Sequence, residues 1–173
     1  MSTEQILLAV VLLGLLGVAV ACDLRRHRIP NLLVLLGMAL GLAGQSYADG
    51  LTGLGNGALG LAIGFAVFLP LYALGGMAAG DVKLMAMVGA FLTPYASLSA
   101  ALSCLVVGGI CGLLIVLARG QLLQTLARYG LMIRARAYIA PAVDEVASQT
   151  FPYSVAILLG TLASGLWWFV VLL

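Results

Sequence analysis

Charge is missing from most of this chain, and that absence most constrains its fold. All 8 lysines and arginines (Arg25, Arg26, Arg28, Lys83, Arg119, Arg128, Arg134 and Arg136) fall in three breaks between apolar runs, at 23–30, 75–83 and 119–150. Hydropathy marks about six such runs, near 5–22, 31–47, 54–74, 82–95, 97–118 and 151–172. With six spans, the three basic breaks share one side of a membrane, and the other side carries only Glu4 and Asp49. The positive-inside rule makes the basic side cytoplasmic and puts both termini outside. A miscounted helix in the middle would scatter the charges, so count and orientation support each other.

Composition agrees. Hydrophobic residues make up 64% of the chain and charged residues 8%, with a mean hydropathy of +1.19. Soluble domains carry about 25% charged residues. A chain this apolar cannot cover a water-facing surface, so it is expected to be an all-α, polytopic membrane helix bundle. One domain over 1–173 is the simplest organisation, with no soluble domain attached. No basic segment precedes the first apolar run, which reads as a retained helix, not a cleaved signal.

Local features refine this layout. Twenty-two glycines suit close helix approach, with GxxxG spacings at Gly37/Gly41, Gly60/Gly64 and Gly108/Gly112. Packing within the bundle is the expected use, and the oligomeric state is left open. Cys22, Cys104 and Cys111 form no CxxC pair and read as packing residues, so no structural metal is expected. The fourth segment is too short to cross unless it begins upstream, among Gly75 to Gly80, and Pro94 is expected to close it. In the long break, Gln121, Gln124, Thr125 and Arg128 share one helical face, and Leu122, Leu126, Tyr129 and Ile133 another. An amphipathic helix on the anionic inner leaflet and an ordinary basic loop fit that pattern equally.

Of six acidic residues, four read as solvated: Glu4 and Asp49 outside, Asp144 and Glu145 in the long loop. Asp23 and Asp81 differ, because each meets an apolar helix at the cytoplasmic boundary, in "ACDLRRHRIPN" and "GGMAAGDVKLMAMVGAF". Lying at similar depth on different helices, they can meet. Two adjacent carboxylates cannot both ionise, so such a pair holds one shared proton. The ionised member can take a proton from a water attacking a peptide carbonyl, and the protonated member can give one to the departing amine. Either aspartate can be the base, since the pair titrates as a unit.

Plainer readings exist for both. Asp23 could form a solvated ion pair with Arg25 or Arg26. Asp81 could cap its helix, paired with Lys83. Ionisable residues at membrane depth are nonetheless functional candidates by default. His27, the single histidine, lies among arginines, and no serine sits in a GxSxG elbow, so serine catalysis is disfavoured.

The two aspartate contexts together resemble the type IV prepilin peptidase family of intramembrane aspartic peptidases. Asp23, Arg25, Ile29, Pro30 and Asn31 match its first signature, an aspartate followed by a basic stretch and Ile-Pro-Asn. Gly80, Asp81, Lys83, Leu84, Gly89 and Ala90 match the second, built on GxGD, except that Ala78 replaces the first glycine. "FPYS" at 151–154 is a weaker echo. The resemblance is close over about 20–94 and looser over the six-span layout.

The resemblance implies Asp23 and Asp81 as catalytic, with Gly80, Lys83, Arg25, Pro30 and Asn31 supporting the site or binding substrate. It implies a cytoplasmic-membrane peptidase of a bacterium that cuts a short basic leader from prepilins, without metal or cofactor. The chain lacks the inserted cysteine-paired segment of larger members and looks like the short form of Flp/Tad-type pili, so methylation is not expected. Partners implied are a prepilin and the lipid bilayer, with no nucleic acid. Two other classes stay open: a proton- or cation-linked transporter and a non-catalytic scaffold of a pilus or secretion assembly. The scarcity of polar residues at mid-span weighs against transport.

Overall fold

The computed structural model describes residues 3–135 and 152–171, and every regular element there is a helix. In order these are α1 (Thr3–Arg26), α2 (Asn31–Ala73), α3 (Ala79–Ala90), α4 (Pro94–Ala118), α5 (Leu122–Ala135) and α6 (Tyr153–Val171). Arg136, Asp144, Glu145 and the Phe151 of "FPYS" lie outside the described residues. The chain groups into two compact units, one of Met1–Gly108 with Pro152–Leu173, the other Gly109–Phe151. Of the second unit, the end of α4 and the whole of α5 are described, so the segment after Gln121 is helical. Leu123, Leu126 and Leu131 are exposed on it.

Within the first unit, α2 holds two of the expected apolar segments. Its 43 residues are broken at Asp49 (φ −130°) and Gly50, whose φ of +60° and ψ of −138° suit only glycine well. The chain reverses there: Gly53 lies against the Gln45 carbonyl, and Gly57 against Leu42 and Gln45. The arm before the break runs alongside α3 in the same direction, with Gly37 at Met87 and Gly41 at Ala90. The arm after it runs the opposite way, with Gly60 at Gly89 and Gly64 at Met85. The GxxxG pairs in α2 thus serve packing inside the chain. Gly108 also packs internally, under the Tyr153 ring, whereas among the described residues nothing lies within 4 Å of a Cβ placed on Gly112.

Helix α3 is the core. Asp81, Val82 and every residue from Leu84 to Ala90 are buried, and Lys83 is exposed. A helix apolar on all sides has no water-facing stripe and belongs inside a larger assembly. It begins upstream, as expected. At 12 residues it is ~18 Å long, well short of a bilayer's hydrocarbon core. Pro94 does not close it. The helix ends by Phe91, and Pro94 opens α4, where its missing N–H costs nothing and its fixed φ suits a first turn.

Buried polar side chains tie this core together. Ser97 Oγ donates to the Gly60 carbonyl at 2.7 Å, and Gln45 Nε2 donates to the Phe91 carbonyl at 2.8 Å. Gln45→Leu would strand that carbonyl at the end of α3 and is expected to cost about 1–3 kcal/mol, read as a lower thermal midpoint in detergent. Around this centre, leucines and valines such as Leu7, Val10, Leu32, Leu35, Leu59 and Val106 are exposed, as a lipid-facing surface requires. Helices α1, α2 and α4 are each long and apolar enough to cross a membrane.

Candidate active site

Three pairings gather helix ends at one end of the first unit. Lys83 in α3 reaches Asn31 at the start of α2, Ser154 at the start of α6 reaches Asp23, and Ile29 lies against Gly80. Asp23 falls in the last turn of α1 and Asp81 in the first turn of α3. Asp81 is 6% exposed and Asp23 is half-buried. With Ile29 against Gly80, and α6 packed on both α1 and α3, the two aspartates lie at the same end of the core.

Each carboxyl has one oxygen held by the scaffold. Asp81 Oδ2 accepts the Ala78 N–H at 3.3 Å, and the Asp81 N–H donates to the Ala78 carbonyl at 3.1 Å. Asp81 therefore does cap α3, where a carboxylate also suits the helix dipole. Capping occupies one oxygen and leaves the other. Lys83 is not its partner: Nζ donates to Asn31 Oδ1 at 3.0 Å. Asp23 Oδ2 accepts the Ser154 hydroxyl at 2.6 Å. Among the described residues, Asp23 makes no ion pair with Arg25 or Arg26, both exposed in the last turn of α1.

The remaining expected site residues, Arg25, Pro30 and Gly80, lie at the helix ends gathered there, and His27, expected only as a surface residue, lies among them. His27, in left-handed conformation (φ 48°), follows α1 and donates its N–H to the Asp23 carbonyl. Pro30 is extended (φ −63°, ψ 125°) and starts α2, with Asn31 next. The loop from α2 to α3 turns at Gly75 (φ +75°), where the Gly76 N–H returns to the Leu71 carbonyl.

Two positions in the second motif gain a physical account. Ala78 has φ −81° and ψ 152°, an ordinary extended conformation, so alanine is unstrained where the family pattern has glycine. A Cβ on Gly80 would sit 3.6 Å from Ile29, an ordinary contact, so packing does not demand glycine there. Ser154 was not singled out from sequence. Its one signal was the "FPYS" echo, too short to identify a partner 131 residues away.

A multi-pass helical membrane protein with two acidic side chains brought to one end of its core is the class that this fold and site define. A family model, the type IV leader peptidase family, matches residues 10–117, and the chain belongs to that family. The prepilin leader peptidase/N-methyltransferase of Myxococcus xanthus (strain DK1622) is 32% identical over 126 residues, which cover 69% of this chain and 37% of the relative. The chain thus spans little more than a third of that relative's length. No solved structure matches it.

Proposed function

We propose that this chain is an aspartic endopeptidase that removes the short basic leader of Flp-like type IV prepilins, with Asp23 and Asp81 as the catalytic pair. One observation carries the reading. Two carboxyls on different helices lie at one end of the core, and each has one oxygen tied to the scaffold. Membership of the type IV leader peptidase family supports it.

In the proposed reaction the pair shares one proton. The ionised member takes a proton from water as the water oxygen attacks the scissile carbonyl. The protonated member hydrogen-bonds the carbonyl oxygen, then protonates the departing amine as the C–N bond breaks. The products are the free leader and a mature pilin with a new N-terminus. The basic segments at this end make it cytoplasmic in our reading, within a bacterial inner membrane and with both termini outside. Substrate backbone must leave helical hydrogen bonding to be cut, and the Gly75–Gly80 stretch offers an open edge for it.

Lys83 and Arg25 supply positive charge beside the pair and suit an acidic residue of the mature pilin. Lys83→Ala and Arg25→Ala are each expected to raise KM about 5-fold with little change in kcat, the size of one partly exposed charge pair. Unimpaired cleavage by both variants would remove this role. The function itself is tested by co-expressing the chain with candidate Flp-type prepilins and following leader removal. Failure with every candidate, while the chain is present and folded in the membrane, would count against it.

A further inference from the structure

We infer that Ser154 is a positioning residue, holding Asp23 by one oxygen so that the other faces the reaction. The inference rests on the reading of Asp23 as one of the catalytic pair. Ser154 lies in the first turn of α6, is 0% exposed, and spends its hydroxyl on Asp23 Oδ2 at 2.6 Å. That length is typical of a hydroxyl donating to a carboxylate. Among the described residues, Asp23 has no other hydrogen-bond partner for its carboxyl.

The hydroxyl cannot drift, because the start of α6 is pinned from two sides. Toward α4, Tyr153 donates to the Cys104 carbonyl at 3.3 Å, Cys104 Sγ donates to the Ile157 carbonyl at 3.4 Å, and Gly160 rests on the Cys104 backbone. Toward α2, the Phe68 and Tyr153 rings meet edge to face, 6.0 Å between centroids. Helix α6 also packs on α1 and α3, the two helices that carry the aspartates. The result is a symmetric arrangement. Asp81 is held through Oδ2 by the backbone of its own helix, and Asp23 through Oδ2 by the first turn of another.

A bond that merely fastened α6 to α1 would affect stability alone. A positioning bond affects the chemical step, where small misplacements of a reacting group are costly. Purified wild type, Ser154→Ala and Ser154→Thr are compared with a prepilin substrate in proteoliposomes, measuring kcat, KM and the thermal midpoint. Ser154→Ala is expected to lower kcat ~10- to 100-fold while KM changes less than ~2-fold. Ser154→Thr, which keeps the hydroxyl, is expected to recover most of that loss. Wild-type kcat in Ser154→Ala overturns the inference, as does an equal fall in both variants, which would trace the effect to side-chain shape. Asp23→Asn, run alongside, separates the two levels: an inactive Asp23→Asn with a fully active Ser154→Ala refutes only the role of Ser154. A fully active Asp23→Asn refutes the catalytic pair itself.

Discussion

Asp81→Asn is expected to abolish leader removal while leaving the helices assembled, and Asp23→Asn to do the same. Asparagine keeps the shape of each side chain and an oxygen acceptor. Its Oδ1 can still receive the Ala78 N–H at position 81, and the Ser154 hydroxyl at position 23. Neither variant therefore loses its tie to the scaffold. Both lose the ability to take or give a proton. General acid–base catalysis contributes ~10²–10⁴-fold per group, so each variant should fall by at least that much in kcat. The pair acts as a unit, and the double variant should be no worse than the singles. The checks are cleavage rate together with thermal midpoint. Equal loss of activity and of folding would return Asp81 to a purely capping role.

The second large effect lies in the packing that holds Asp81 in place. Gly60 and Gly89 touch backbone to backbone: a Cβ on Gly60 would strike the Gly89 and Leu92 carbonyls, and one on Gly89 would strike the Gly60 carbonyl. Those atoms belong to two helix backbones and cannot swing aside as a flexible side chain could. Gly60→Val should force α2 away from α3, break the Ser97 bond to the Gly60 carbonyl, and cost about 3 kcal/mol or more. Folded protein recovered from membranes, and its thermal midpoint, should both drop sharply. Gly55→Ala is the control, since among the described residues a Cβ there meets nothing within 4 Å. Equal tolerance of both substitutions would mean that the α2–α3 contact is not the core of the fold.

Much of this architecture was legible in the sequence because a bilayer leaves few choices. Backbone in lipid must satisfy its own hydrogen bonds, so long apolar runs become helices and hydropathy finds them. The same logic brought Asp23 and Asp81 to one end, since alternating helices return every second break to the same side. Helix α3 was harder to read. Its burial at every position from Leu84 to Ala90 gives it no periodic stripe, and Pro94 reads as a terminator although proline serves equally as an initiator. The break in α2 shows as "ADG" in sequence, but that the two arms then flank α3 is a tertiary fact carried by Gly37, Gly41, Gly60 and Gly64. Lys83 illustrates the same limit. Two residues from Asp81, it looked like its partner, but a helix turns ~100° per residue and carries it toward Asn31. Ser154 was invisible for a like reason, since no local pattern shows which remote side chain a buried hydroxyl will meet.

On the proposed function, two carboxyls, one from α1 and one from α3, cut a prepilin together. Mass analysis of a Flp-type prepilin incubated in proteoliposomes with wild type, Asp23→Asn or Asp81→Asn tests it most directly. Wild type is expected to yield a leader and a mature pilin cut at one bond, and either variant to leave the prepilin intact. The same products formed by either folded variant at the wild-type rate would contradict it.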